Sequence, residues 1–476
     1  MRQIEEIGTV LESQDYSINN IIIEAMKKFK IKSLCHQSGF KKGGGFSVTE
    51  IIVLLLMLPL MGLKNVHQLF TREYNKKAAM QKDTIYRLKN NESHPWRKLL
   101  YAVAKMFKKL TNPEGKPTGK VTAFIVDDTT NAHKGYKMEM ISNVFDHVLR
   151  KTVYGFKVLT LAFFDGTSSI PLDFTMHAEK KLDRKKAKEQ YKKEVDPKSN
   201  GGKRRKETGT SKIDQAVTMI KRAVKNGFIA DYVLCDAWFT SQGFIQSIRG
   251  IKNGAMHLIA GIRNDKRHYG FCGQMLNAKQ IIDLLKNTGV HRCRKWNTRY
   301  METVVDYKDV GKVKLFICRY PGQKKWRVFI TTNTSLSFVE MMEIYGLRWT
   351  IEVMFRESKQ HLQLGACRSQ DFDARIASTT ITFILYTLFA YLKRMGSYET
   401  MGELFRLTQQ DICEKNLAER LWDLFEELLA FIIEVIASHG VMDITMLRQS
   451  EEYRYVKEVF ASSFLFNQLA SLDKPI

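Results

Sequence analysis

Two unbroken apolar, β-prone runs in this chain each end at an aspartate. Val121–Val126 (VTAFIV) leads into Asp127-Asp128, and Tyr232–Cys235 (YVLC) leads into Asp236. A continuous apolar run, rather than an alternating one, suits a buried strand of the kind found in α/β sheets. Ligand sites in such sheets gather beyond the carboxyl ends of the strands, where side chains project from rigid elements. Carboxylates there are hard oxygen donors suited to Mg²⁺. A single strand-end Asp is equally a turn or helix cap; two of them, in a strongly basic chain, say more. The 75 Lys and Arg against 50 Asp and Glu leave a net charge of +25. An excess of that size favours a polyanionic partner, because each neutralised phosphate releases condensed counterions. Nucleic acid is therefore the expected partner, with a generically basic soluble protein as the alternative.

Other classes are disfavoured. The seven cysteines form no CxxC pair, and a scattered odd set argues for a reducing compartment rather than a disulfide framework. Cys272, His291 and Cys293 match no common zinc spacing. The most apolar run, Ile51–Leu63, contains Pro59 and is shorter than the roughly 20 residues a bilayer requires. A soluble cytoplasmic protein, with no membrane partner, is expected.

Read along its length, the chain divides into five parts. Residues 1–115 read as helical, with periodic apolar segments alternating with basic ones such as KKFKIK; a DNA-binding module and a helical scaffold both fit. Residues 116–264 carry the first strands, including Val153–Phe164 and Ser169–His177 joined across Asp165-Gly166. Within them, residues 179–212 hold 14 Lys and Arg against 6 Asp and Glu, including Lys203-Arg204-Arg205-Lys206. This stretch reads as a mobile loop, either solvated or suited to a DNA backbone. Residues 265–332 read as a further β-rich block, 333–395 as a return to the first sheet, and 396–476 as helical.

The most informative segment is Tyr345-Gly-Leu-Arg348-Trp-Thr-Ile-Glu352, continuing to Lys359. On a helix, Tyr345, Arg348, Glu352 and Lys359 fall within a stripe about 60° wide. One face thus carries an aromatic hydroxyl, a guanidinium, a carboxylate and an ammonium, beside an apolar stripe of Ile351, Met354 and Phe355. Ordinary charge pairing on a surface helix is the plain alternative. Glu343 and Glu357 share the segment but rotate off the stripe by well over 100°.

The pattern Y-x2-R-x3-E-x6-K resembles the signature of the insertion sequence 4 family of bacterial DDE transposases. Asp128-Thr129-Thr130 is similar to that family's first acidic motif, and VLCDAWF around Asp236 to its second. The resemblance covers roughly residues 120–395, in the family's order. It implies an α/β, RNase H-like catalytic domain with a β-strand insertion, flanked by helical N- and C-terminal domains. It further implies a triad of Asp128, Asp236 and Glu352 holding two Mg²⁺ or Mn²⁺ ions. Matching the motif selects Asp128, and Asp127 stands in reserve because strand alternation points the two oppositely. By the same resemblance, Tyr345, Arg348 and Lys359 grip DNA at the transposon end. Trp326 would stack on a base flipped from the duplex, although a strand tryptophan is more often a packing residue. The implied activity is cutting and joining of inverted-repeat ends into target DNA, by a homodimer joined through the C-terminal helices. An RNase H-like nuclease without strand transfer, and a catalytically silent DNA-binding relative, remain the alternatives.

Overall fold

The computed structural model describes residues 21–71, 80–115, 119–263, 267–287 and 289–412. Residues 413–476, within the C-terminal segment expected above to be helical and to form a dimer contact, lie outside this set.

Contacts divide the chain into two units: residues 1–88 with 391–476, and residues 89–390. In the first unit the described elements before the sheet are helical: α1 (Ile21–Lys28), α2 (Ile31–Ser38), α3 (Val48–Met57), α4 (Val66–Thr71) and α5 (Lys82–Lys89). The apolar run seen in the sequence is α3, closed by a reciprocal capping box between Ser47 and Glu50. Its residues from Ile51 to Met57 are all buried, so it is a core helix of this unit.

The second unit begins with α6 (Trp96–Thr111), whose Trp96, Leu99, Leu100, Val103 and Phe107 recur at helical spacing and are buried. The sequence reading grouped this helix with the N-terminal ones. Its amphipathic face instead packs on the sheet unit, and the division falls at residues 88 and 89 rather than near 115.

Strands β1 (Ala123–His133), β2 (Ser142–Asp146), β3 (Lys151–Phe164) and β4 (Ser169–His177) follow, then helices α7 (Arg184–Lys188), α8 (Asn200–Thr208) and α9 (Lys212–Lys225). Next come β5 (Tyr232–Cys235), α10 (Gln242–Arg249), β6 (His257–Ile262), β7 (His268–Phe271), β8 (Gln274–Asn277) and α11 (Ala278–Leu285). The remainder is β9 (His291–Cys293), β10 (Thr298–Tyr307), β11 (Gly311–Arg319), β12 (Arg327–Thr331), α12 (Phe338–Gly346), α13 (Trp349–Gln360) and α14 (Phe372–Met395).

All the strands among the described residues join one mixed sheet, in the order β2-β3-β1-β5-β6-β12-β11-β10-β7-β8, with β4 on β3 and β9 on β10. At its centre β1, β5 and β6 are parallel, while β3 and β4 continue as antiparallel neighbours. That is the mixed architecture of an RNase H-like domain, as the sequence led one to expect. The β-rich segment does not form a separate body: β12 pairs antiparallel with β6, so the insertion extends the central sheet. The parallel centre is fully buried, with Phe124, Ile125, Val126, Val233, Leu234 and Leu258 at 0% exposure, which explains why these strands read as continuous apolar runs.

Two expectations changed. β1 does not stop at Asp127; it runs on to His133, paired residue by residue with β3. The β-branched Thr129 and Thr130 favour continuation once a partner strand is present. The basic stretch 179–212 is not a featureless loop either, since it contains α7 and α8, and α8 is capped by Ser199 at the Gly202 amide.

Candidate active site

The pairing of β1 with β5 ends at Val126 and Cys235. The next residues, Asp127 and Asp236, are therefore neighbours in parallel register, and side chains in such register leave the same face of the sheet. Burial, reinforced by the charges of Asp236 and Asp128 and only partly offset by Arg348, pushes the Asp127 carboxyl up to about 7. Asp236 is held by its own turn, its Oδ1 accepting the Trp238 amide at 2.9 Å.

Arg348 completes this side of the sheet. It lies between α12 and α13, donates through Nη1 to Asp127 Oδ2 at 2.9 Å, and donates through Nη2 to Glu352 Oε1. One guanidinium thus joins Asp127 to Glu352. Ile351, Met354 and Phe355 bury the apolar side of α13, and this fixes the direction in which Arg348 and Glu352 project. Tyr345, at the end of α12, packs edge-on against Phe329 with ring centroids 4.9 Å apart. Burial pushes its phenol up to about 12, with Cys235 and Asp236 among its neighbours. Lys359, at the other end of α13, donates to the Thr130 carbonyl at 2.9 Å. The polar stripe of Tyr345, Arg348, Glu352 and Lys359 therefore lies along the ends of β5 and β1, with Lys359 exposed at its far end.

Asp128 points the other way. Its carboxylate receives Lys212 Nζ at 3.0 Å and lies 3.7 Å from Lys157 Nζ. Lys212 also pairs with Glu179 at 2.8 Å and sits over the Trp238 ring at 5.0 Å. Lys157 in turn donates to Thr130 Oγ1, which shares the Asp128 face of β1. The residue selected by motif matching is thus engaged in a lysine network, and its neighbour Asp127 faces Asp236, Arg348 and Glu352. No signal in the sequence separates them, because Ile125 and Val126, the residues in phase with each, are equally apolar; register with β5 and the approach of α13 decide.

Trp326 immediately precedes β12. Because β12 runs antiparallel to β6, with Val328 opposite Ile262, Trp326 lies at the same sheet edge as Asp236. Three strand spacings put it about 14 Å from the Asp127 strand. The Arg319 guanidinium covers one face of its indole at 4.6 Å, and none of its described contacts reaches the carboxylates.

The basic run at 203–206 is divided between two environments. Lys203 and Lys206 are exposed. Arg204 is buried, and Arg205 pairs with Glu139 at 2.7 Å and Asp373 at 2.9 Å. These two arginines tie α8 to the sheet and to α14, so the run is not a free electropositive tether.

Asp127, Asp236 and Glu352 suit a hard divalent ion by chemistry, since all are carboxylates and so supply hard oxygen donors. Among the described residues no three His, Cys, Asp or Glu side chains are already gathered closely enough to hold one; the Arg348 guanidinium stands between two of the carboxylates instead. One described helix, Phe372–Met395, is long and apolar enough to cross a membrane, and 83% of its apolar window is buried inside the protein.

A family model described as DDE superfamily endonuclease matches residues 47–279, which include Asp127, Asp128 and Asp236. A second, described as transposase DDE domain, matches residues 209–388, which include Asp236, Arg348 and Glu352. No curated protein matches the chain. The two matches overlap across the second acidic motif and together span the sheet that carries the aspartates and the helix that carries Glu352: this chain belongs to the DDE transposases.

Proposed function

We propose that the protein cuts and joins DNA at transposon ends by two-metal-ion phosphoryl transfer, as a member of the insertion sequence 4 family. Its triad would be Asp127, Asp236 and Glu352. The observation that carries this reading is that Arg348 joins Asp127 to Glu352 on the face where Asp127 neighbours Asp236.

Asp127, Asp236 and Glu352 would hold two divalent ions, Mg²⁺ or Mn²⁺. When bound, such ions activate the attacking water or 3′-hydroxyl and stabilise the departing oxygen. The protein's own part is to place and charge these carboxylates. Asp127 and Asp236 leave two adjacent rigid strands, and Glu352 leaves a helix anchored by Ile351 and Met354. Burial holds the Asp127 carboxyl up at about 7 in the metal-free protein, so a bound cation would compete with its proton. Arg348, now the counter-charge to two carboxylates, is placed to pair with a substrate phosphate brought to the same spot, an arrangement suited to its forked donors. Tyr345 and Lys359 mark the two ends of that groove, and Trp326 stands at the same edge with one indole face for a base. Pairing of two inverted-repeat ends by a homodimer, on nucleoid DNA in a bacterial cytoplasm, completes the reading.

A nuclease that cuts without joining has the same site. Purified protein, incubated with Mg²⁺, a labelled duplex bearing the DNA that flanks its gene and a supercoiled target, separates the two. Joined end-target products support transposition. Nicked ends without joined product, at every target concentration, contradict it.

A further inference from the structure

A second basic site lies away from the carboxylates. It is a cavity of about 230 Å³ whose lining includes Arg97, Lys98, Lys203, Arg204 and Arg222. These residues come from α6, α8 and α9, and the cavity lies wholly within the sheet-bearing unit.

Three arginines converge here on two carboxylates. Asp173 receives Arg97 Nε at 2.9 Å and Arg222 Nε at 2.8 Å. Glu207 receives Arg97 Nη2 at 2.7 Å and Arg222 Nη1 at 3.2 Å, with Arg204 Nη1 at 3.6 Å. Positive charge therefore exceeds its immediate partners by one, before Lys98 and Lys203 at the cavity wall are considered. Burial, with Arg97 as an adverse neighbour, pulls the Arg204 guanidinium down to about 9, as expected where cations are crowded.

Two donors are left over. Arg204 Nη2 and Arg222 Nη2 are both enclosed and make no hydrogen bond, and Arg204 is only 4% exposed. An enclosed charged donor without an acceptor is costly. The same cavity receives the start of the 16-residue helix α6, where Pro95 at the cap position supplies no side-chain acceptor. The Trp96 amide already donates to the His94 carbonyl at 3.0 Å, and the positive end of the helix dipole lies at this start. Buried guanidinium donors and a helix start facing one cavity form an oxyanion receptor. Glu92 and Asp373 also line the cavity, but each is within ion-pair distance of Lys193, and Asp373 pairs with Arg205 as well.

We propose that this cavity binds a phosphate group, taken in by Arg204, Arg222 and the amino end of α6. The group is supplied either by inorganic phosphate or a small phosphate ester, or by the backbone of bound DNA outside the cleavage site.

The test is direct binding to the full-length protein, without metal so that the carboxylate centre is not involved. Inorganic phosphate is titrated calorimetrically at constant ionic strength, with chloride as control. One saturable site is expected, weakened about tenfold or more by Arg222→Gln and more mildly by Lys203→Gln, with Lys221→Gln on the exposed side of α9 unchanged. If Arg222→Gln fails to fold, as its circular dichroism would reveal, Lys203→Gln decides, because Lys203 is exposed and outside the ion-pair cluster. Repeating the titration in the presence of duplex DNA distinguishes the sources. Loss of the phosphate signal assigns the site to a backbone phosphate, and its retention assigns it to a small anion. Phosphate heats no different from chloride, or equal binding by wild type and both variants, overturn the proposal. Neither result depends on whether the enzyme cuts DNA.

Discussion

Asp173 offers a quantitative test of how the sheet-bearing unit is held together. It is fully buried on β4 and accepts from Arg97, Arg222 and, at 3.3 Å, the Tyr101 hydroxyl. Burial opposes its charge, and Arg97, Arg222 and Arg204 overcome that opposition, holding its carboxyl below the ordinary 3.8. Asp173→Asn keeps the shape but leaves three guanidiniums facing Glu207 alone. Removing one partner of a buried ion pair costs about 3–5 kcal/mol. For a unit of this size that corresponds to a melting point lower by roughly 6–10 °C. The sign with pH follows from the depressed value. The stabilisation is present above the unfolded carboxyl's pKa and is lost as pH falls through the folded one, so wild type and variant should begin to converge as pH drops below about 4 and coincide only below the folded value. Urea unfolding at pH 7 and at steps downward from about pH 4 reads both quantities. A loss under about 1 kcal/mol at neutral pH would refute the view that this cluster is a fastening of α6, α8 and α9 to the sheet.

Two further outcomes follow from the carboxylates on β1. With the Asp127 carboxyl raised to about 7, the folded, metal-free protein binds more protons than the unfolded chain between pH 4 and 7. Stability should therefore fall as pH rises through that window, by at most about 4 kcal/mol, and Asp127→Asn should flatten the fall in urea midpoints measured with EDTA. On the opposite face, Lys212→Met leaves Asp128 and Glu179 without their shared cation; a loss of about 2 kcal/mol is expected, because both carboxylates are partly exposed. Urea unfolding that shows no loss would show that this network is dispensable.

The fold was legible where local chemistry decides it. The two strand-end aspartates announced the parallel centre of the sheet, because residues covered on both faces must all be apolar. The stripe from Tyr345 to Lys359 was legible because helical rotation is fixed by spacing, even though the segment divides into α12 and α13 around Arg348. What the sequence could not settle were relations between distant elements. Choosing Asp127 over Asp128 depends on which face of β1 meets α13, and both faces are apolar upstream. The stretch 179–212 looked like a free loop because its partners lie far away. Arg204 reaches the Phe174 carbonyl on β4, and Arg205 reaches Glu139 and Asp373. Charge density alone cannot distinguish arginines that face solvent from arginines that hold helices to a sheet. Helix α6 was misgrouped for a similar reason: its periodicity fixed a buried face, not what buries it.

The most direct test of the central claim is Mg²⁺-dependent nicking of a labelled end duplex by Asp127→Asn and Asp128→Asn, side by side, after both are shown to bind the duplex. If Asp127 belongs with Asp236 and Glu352, Asp127→Asn binds DNA but does not cut it, while Asp128→Asn still cuts and loses mainly stability. Cutting that survives Asp127→Asn and disappears in a folded Asp128→Asn would contradict the assignment and return the site to the face occupied by Lys157 and Lys212.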